Sequence, residues 1–215
     1  MKYYNFANRV SDNNKPEILM SLIDLSPSMN FSDYKPSRKA GAIRANKELL
    51  KIKLDSIPQD KMGIIGFGDD AKLLHLPVCL STGSVSLQNA LKNPQGSYGT
   101  NFTAALKLAK THLLNGNSSK SNGSFLSRML SEMFIESANQ PENLDNNNVL
   151  RRIIMLTDGE YNSGGCPLKI ALELKNKGVV IDCIGIVIIP PICGLKCIES
   201  LPGRALSLGL RYSRI

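Results

Sequence analysis

Four continuous apolar segments of strand length constrain this chain more than any other feature. They are residues 17–23 (EILMSLI), 62–68 (MGIIGFG), 152–157 (RIIMLT) and 179–188 (VVIDCIGIVI). A strand with one solvated face alternates polar and apolar residues, whereas a strand buried on both faces is apolar throughout. The four segments are therefore predicted to be central strands of a sheet that is covered on both sides.

Segments in which apolar residues recur with helical spacing separate these strands. They cover residues 37–54, 86–92, 101–114 and 166–178, with a shorter one at 194–201. Ser37 is predicted to cap the first helix. Residues 71–78 are predicted to form a hairpin with 62–68, and residues 204–210 a last strand. This order predicts an α/β fold with a doubly wound, mostly parallel sheet, one antiparallel edge strand and helices on both faces.

Polarity divides the chain into an arm, a domain and an insertion. Residues 1–15 are predicted to be a polar N-terminal arm, and residues 16–215 a single domain. Residues 115–149 are a low-complexity polar stretch, except that 125–137 has helically spaced apolar residues. We interpret 115–149 as a surface insertion in which two flexible arms flank one amphipathic helix.

Composition argues against a nucleic-acid partner despite the net charge of +8. The basic residues are spread along the chain, and the densest stretches, 35–39 (KPSRK) and 211–215 (RYSRI), are short. We interpret these side chains as solvated. Tryptophan is absent and aromatic residues make up 6% of the chain, so stacking platforms for single-stranded nucleic acid are not indicated.

Neither a secretory signal nor a membrane span is predicted. Residues 1–15 are polar and lack an apolar core. The longest apolar stretch, 179–193, is too short to span a bilayer, contains Asp182 and is interrupted by Pro190 and Pro191. A cytoplasmic protein is therefore expected.

Three polar clusters lie where predicted strands or loops end. The first is Asp24-Leu25-Ser26-Pro27-Ser28, the second Gly99-Thr100-Asn101, and the third Thr157-Asp158-Gly159. In doubly wound sheets, ligands bind beyond the carboxyl ends of strands, where the strand order reverses. The first and third clusters are neighbours if their two strands flank that reversal.

Together the clusters contain two carboxylates, Asp24 and Asp158, and three hydroxyls, Ser26, Ser28 and Thr100. Two carboxylates in one partly buried crevice repel each other, and a divalent cation relieves that repulsion. An all-oxygen set suits a hard ion, so Mg²⁺ is predicted, with Mn²⁺ or Ca²⁺ as alternatives. Zinc prefers nitrogen or sulfur ligands.

Each cluster taken alone has a simpler interpretation. Ser26 and Ser28 are typical of a turn or a helix N-cap, Thr100 of an N-cap, and the segment 157–159 of a tight turn. Their joint occurrence, in this order and at these positions, favours the metal site.

The three clusters resemble a known family. Residues 24–28 (DLSPS), 98–101 (YGTN) and 156–160 (LTDGE) resemble the three parts of the metal-ion-dependent adhesion site (MIDAS) of von Willebrand factor type A (VWA) domains. Residues 61–71 (KMGIIGFGDDA) are also similar to the second strand of that family and its turn into an antiparallel edge strand. The resemblance covers roughly residues 16–204 outside the insertion, and it implies a Rossmann-like sheet with Mg²⁺ at its upper edge.

The resemblance also implies roles for the five residues. Ser26 and Ser28 would bind the ion directly, Thr100 would be a direct or switchable ligand, and Asp24 and Asp158 would act through bound waters. A carboxylate from a partner protein would fill the remaining position, because neutral hydroxyl ligands leave the ion electron-poor. The expected function is thus a metal-dependent protein-binding module and not an enzyme. The terminal helix of the family is not evident in this sequence, which argues against a switch based on its movement.

Two alternative functions remain open. One is a metal-dependent hydrolase or phosphoryl-transfer enzyme, and the other is a nucleic-acid-associated module that uses a basic face. The sequence has no Walker phosphate loop, no Gly-x-Ser-x-Gly elbow and no His-Glu-x-x-His motif. Its histidines, His75 and His112, lie in a predicted strand and helix away from the three clusters.

Overall fold

The computed structural model describes residues 15–96, 98–114, 149–159 and 161–186, together with the backbone of a strand at 211–214. All but the last residue of the predicted arm (1–15) and of the predicted insertion (115–149) lie outside the described residues. So do the predicted helix at 194–201 and the predicted strand at 204–210. Within the described part of the chain, no helix is both long enough and apolar enough to cross a membrane.

The described strands and helices follow one another in the order that the hydrophobic pattern predicts. The strands are β1 (Glu17–Asp24), β2 (Lys61–Phe67), β3 (Ala71–Cys79), β4 (Leu150–Thr157), β5 (Val179–Gly185) and β6 (Arg211–Arg214). The helices are α1 (Arg38–Ser56), α2 (Leu80–Ala90), α3 (Phe102–Leu114) and α4 (Leu168–Asn176), and a short 3-10 helix covers Pro27–Asn30. As predicted, Ser37 caps α1, since its hydroxyl accepts a hydrogen bond from the backbone N–H of Ala40.

The sheet has the predicted doubly wound order. Its strands follow the sequence β3-β2-β1-β4-β5-β6. Strand β3 is antiparallel to β2, and the other described neighbours run parallel. The order of strands reverses between β1 and β4, which are adjacent. The carboxyl ends of β1 and β4 therefore meet at the topological switch point, where doubly wound sheets bind ligands.

Hydrophobic residues cover both faces of the sheet. In β1, Met20 and Leu22 pack on one side with residues of α3 and α4, and Leu19 and Ile23 pack on the other side with residues of α1 and α2. Successive residues of a strand point to opposite faces, so a strand buried on both sides needs an apolar residue at nearly every position. This is the physical basis of the continuous apolar segments in the sequence.

Helix α2 begins earlier than the sequence predicts. The apolar spacing predicts a helix at 86–92, whereas α2 begins at Leu80 and ends at Ala90. Gly83 weakens the helical signal of this segment. In the fold, a Cβ at Gly83 would lie 2.2 Å from Cγ2 of Val78, so close packing of α2 against β3 requires glycine there. Tertiary packing thus outweighs local propensity.

A network of charged side chains occupies the end of the sheet opposite the switch point. Arg152 of β4 pairs with Glu17 at 2.6 Å and also with Asp182 of β5. Lys53 of α1 pairs with Glu17 and, at 2.7 Å, with Asp60. Burial by itself would raise the pKa of Glu17, but Lys53 and Arg152 hold that pKa below its usual range. Each carboxylate of this network has a cationic partner.

Candidate functional site

Three loops that carry the predicted site residues converge at the carboxyl edge of the sheet. The loop after β1 meets the end of β4 where the hydroxyl of Thr157 donates a 2.6 Å hydrogen bond to Oδ2 of Asp24. The loop that leads into α3 meets the loop after β4 where Asn162 Oδ1 accepts a 2.8 Å hydrogen bond from the backbone N–H of Thr100. All five predicted metal-binding residues therefore lie at one edge of the sheet.

Asp24 is a fully buried carboxylate at the end of β1. Besides the Thr157 hydroxyl, the backbone N–H of Ser26 donates a 2.9 Å hydrogen bond to its Oδ1. Burial raises the pKa of Asp24 to about 6 despite these hydrogen bonds, and the nearby charge of Asp158 contributes to the rise. No lysine or arginine among the described residues forms an ion pair with Asp24, in contrast to the carboxylates at the opposite end of the sheet.

The two serines of the first cluster present their hydroxyls to each other. Ser26 Oγ and Ser28 Oγ are 3.0 Å apart. Pro27 begins the short 3-10 helix, and Ser26 is in the N-cap position, but its side chain makes no capping hydrogen bond. Ser26 therefore occupies the N-cap position without using its hydroxyl as a cap, and the two hydroxyls lie together after β1.

Thr100 is buried at the entrance to α3, and it is not the cap of that helix. Asn101 caps α3, because its Oδ1 accepts a 2.9 Å hydrogen bond from the backbone N–H of Ala104. Asn162 forms hydrogen bonds with both backbone groups of Thr100. Its Oδ1 accepts from the Thr100 N–H at 2.8 Å, and its own N–H donates to the Thr100 carbonyl at 3.1 Å. The sequence did not single out Asn162, since nothing in its local pattern distinguishes it from a loop residue.

Gly99 allows the close approach that positions Thr100. Its φ of +70° lies in the left-handed region, and a Cβ there would lie 1.8 Å from Oδ1 of Asp69. The backbone N–H of Asp69 also donates a 2.6 Å hydrogen bond to the Tyr98 carbonyl. The loops after β2 and before α3 are therefore in direct contact, and the left-handed backbone at position 99 favours glycine.

Asp158 has a partner that no sequence pattern indicates. Nη1 of Arg38 lies 3.0 Å from Oδ2 of Asp158, and the two side chains are 15% and 7% exposed. Arg38 belongs to the basic stretch 35–39, and the prediction that this stretch is solvated is wrong for Arg38. The contact joins residues 120 positions apart, and no local pattern could indicate it.

Hydroxyl groups outnumber carboxylates among the candidate metal ligands, and no sulfur-containing side chain is among them. The described residues contain no group of three or more His, Cys, Asp or Glu side chains placed to hold a metal ion. The convergent groups are instead the Asp24 and Asp158 carboxylates and the hydroxyls of Ser26, Ser28 and Thr100. Such oxygen donors fit a hard divalent cation, and the buried Asp24 carboxylate provides negative charge that lacks a described counter-ion.

Solved structures with this fold come from diverse sources. An aerotolerance-related membrane protein from Bacteroides fragilis is 21% identical, with a TM-score of 0.61 over 93% of this chain and 91% of that one. The SpRpn10 VWA domain is 18% identical, with a TM-score of 0.60 over 93% and 88%. Proximal thread matrix protein 1 from the mussel byssus, with a zinc-occupied MIDAS motif, is 17% identical, with a TM-score of 0.59 over 94% and 44%. At these identities the likeness establishes the fold.

The sequence itself identifies the family. No curated protein matches the chain. The von Willebrand factor type A domain family matches residues 19–160, about two thirds of the chain. This range contains all five candidate site residues, the strands β2, β3 and β4, and β1 from Leu19 onward. The chain therefore belongs to the von Willebrand factor type A domain family.

Proposed function

We propose that this chain is a metal-dependent protein-binding module. Ser26, Ser28 and Thr100 bind a divalent cation directly, and Asp24 and Asp158 contribute through bound waters. An aspartate or glutamate of a partner protein fills the remaining position. The observation that carries this proposal is the buried Asp24 carboxylate, which has hydrogen bonds from Thr157 and Ser26 but no described cationic partner.

Mg²⁺ is the proposed ion. The candidate donors are all oxygen atoms, and three of the five are neutral hydroxyls, a set that suits a hard cation which retains some of its waters. Zinc is the competing ion, because the mussel byssus protein carries zinc in its MIDAS motif. Its general preference for nitrogen and sulfur ligands disfavours it here.

The proposed partner presents a carboxylate because of the charge on the ion. Neutral hydroxyl ligands leave a dication with much of its positive charge, which attracts an external anion. The chain also has a net charge of +8, which favours encounter with an acidic partner. Both features support an acidic side chain as the group that completes the site.

Calorimetric titration of the full chain with MgCl₂, after removal of metal by EDTA, tests the metal site. Wild type should bind one Mg²⁺, and Ser26→Ala/Ser28→Ala should lose that binding because two hydroxyls are removed. Ser81→Ala/Ser86→Ala is the matched control, since both serines lie in α2. Mg²⁺ binding that survives in Ser26→Ala/Ser28→Ala would refute the proposed site.

Capture of partners from native lysate tests the binding function. Proteins retained on the wild-type chain in Mg²⁺ should elute with EDTA and should be absent from the Ser26→Ala/Ser28→Ala variant. Retention that depends neither on chelation nor on the two serines would contradict a metal-dependent module.

A further inference from the structure

Two carboxylates of different burial share the guanidinium of Arg38. Nη1 lies 3.0 Å from Oδ2 of Asp158, while Nη2 lies 2.6 Å from Oδ2 of Asp33. Nε donates to both oxygens of Asp33, at 2.9 and 3.1 Å. The Asp158 side chain is 7% exposed and the Asp33 side chain 32% exposed. Arg38 is therefore bound at once to an inner and an outer carboxylate.

The inner carboxylate belongs to the proposed metal site. A guanidinium is permanently charged, so Arg38 supplies Asp158 with positive charge whenever the two are in contact. A dication bound beside Asp158 would supply the same charge and would repel the guanidinium. Arg38 and the metal ion thus compete for one carboxylate.

Asp33 offers Arg38 a second position. Three hydrogen bonds already join the guanidinium to Asp33, and only one joins it to Asp158. The guanidinium carbon also lies over the ring of Phe31, 5.3 Å from its centroid, a contact that does not involve Asp158. Release of Asp158 therefore breaks one hydrogen bond and leaves the other contacts of Arg38 in place.

We propose that Arg38 sets the metal affinity of the site by competing with the cation for Asp158, and that Asp33 limits this competition by holding the guanidinium outside. The inference rests on the proposed metal site, and it adds two positioning residues that do not bind the ion. Competition and a fixed structural ion pair predict opposite changes in metal affinity when the contact between Arg38 and Asp158 is lost. A fixed pair would order Asp158 for the metal, so its loss would weaken binding, whereas loss of a competitor strengthens binding.

Calorimetric titration with MgCl₂ at low ionic strength tests the inference on the full, EDTA-treated chain. Arg38→Gln should raise the Mg²⁺ affinity about tenfold, which is the factor expected for one charge-assisted hydrogen bond. Asp33→Asn should lower it severalfold, because Arg38 then binds Asp158 more often. The double variant should match Arg38→Gln, since Asp33 acts only through Arg38.

Arg44→Gln is the matched control for the loss of an α1 arginine. Its guanidinium bonds to the hydroxyl of Tyr34 at 3.0 Å and lies over that ring, so the Mg²⁺ affinity should not change. Unfolding in EDTA gives a second readout. There Arg38→Gln should be less stable than wild type because Asp158 loses its partner, and saturating Mg²⁺ should remove that difference. If Arg38→Gln does not fold, Arg38→Met replaces it, and it should bind Mg²⁺ more tightly than wild type because no cation is left to compete for Asp158.

The outcomes separate this inference from the proposed function. If wild type binds Mg²⁺ through Ser26 and Ser28 but Arg38→Gln binds equally or more weakly, the competition is refuted and the metal site remains. If Asp33→Asn raises the affinity, the role of Asp33 is refuted. If neither wild type nor Arg38→Gln binds Mg²⁺, both the competition and the metal site are refuted.

Discussion

The hydroxyl of Thr157 donates a 2.6 Å hydrogen bond to Oδ2 of Asp24 and thereby joins the carboxyl ends of two adjacent parallel strands. The backbone N–H of Gly159 donates to the same hydroxyl oxygen at 3.2 Å, which leaves the hydroxyl proton for Asp24. All three groups are buried. This relationship positions the loop that carries Asp158 against the loop that carries the serine pair.

Thr157→Val removes the hydroxyl with little change in shape. Because Oδ2 of the buried Asp24 then loses its hydrogen bond, we expect the metal-free protein to lose about 1–3 kcal/mol of unfolding free energy. Urea unfolding in EDTA measures this loss. The control is Thr111→Val, whose hydroxyl bonds to the Lys107 carbonyl on the exposed side of α3 and should cost well under 1 kcal/mol. Equal effects of the two substitutions would contradict the role of Thr157.

The raised pKa of Asp24 predicts a specific pH dependence of the metal-free protein. The native state binds the Asp24 proton more tightly than the unfolded state, with a pKa of about 6 against an ordinary 3.8. The free energy of unfolding should therefore fall by about 3 kcal/mol from this group as the pH rises from about 4 to about 7. Asp24→Asn cannot ionise, so the stability difference between variant and wild type in EDTA isolates the contribution.

Asp24→Asn should consequently be more stable than wild type in EDTA at pH 7.5 and equal to it near pH 3. In saturating Mg²⁺ wild type should gain stability, because a ligand that binds only the native state stabilises it, and the variant should gain little. A variant less stable than wild type in EDTA at pH 7.5 would show that burial of the Asp24 charge carries no cost.

Gly99→Ala should damage the site more than its backbone conformation alone explains. Gly99 and Gly165 have similar φ values of +70° and +72°, so alanine at either position costs about 1–2 kcal/mol of backbone strain. At Gly165 a Cβ would meet nothing within 4 Å, whereas at Gly99 it would overlap Asp69. We expect Gly99→Ala to lose Mg²⁺ binding in calorimetry because Thr100 is displaced, and Gly165→Ala to retain it.

Arg152→Met should destabilise the protein without affecting the metal site. The substitution leaves Asp182 without its described cationic partner and Glu17 with Lys53 alone, so we expect a loss of about 3–5 kcal/mol. Lys110→Met removes an exposed pair with Glu173 and should cost much less than Arg152→Met. Urea unfolding measures both, and the Mg²⁺ affinity of folded Arg152→Met should equal that of wild type, since the network lies at the opposite end of the sheet.

Much of the fold followed from local patterns. The apolar segment 17–23 predicts a buried strand, and β1 covers Glu17–Asp24. Burial on both faces requires an apolar side chain at nearly every position, so a continuous apolar segment in the sequence predicts such a strand. The start of α2 could not be read in this way, because Gly83 is required by contact with Val78 and local propensity counts against it.

The polar clusters at the strand ends were also evident from the sequence, and their order along the chain indicated the family. Residue type, spacing and joint occurrence carried this information, since each cluster taken alone is also typical of a turn or a helix cap. The metal-binding roles of Asp24, Ser26, Ser28, Thr100 and Asp158 remain predictions.

Two features were decided only by tertiary structure. The adjacency of β1 and β4 places Thr157 beside Asp24, although 133 positions separate them. The packing of the start of α1 against the loop after β4 places Arg38 beside Asp158. The spacing of apolar residues along a segment indicates which of its faces are buried, because each buried position requires an apolar side chain. Which polar groups meet depends on strand order and on the approach of helices to loops, and these are properties of the folded chain.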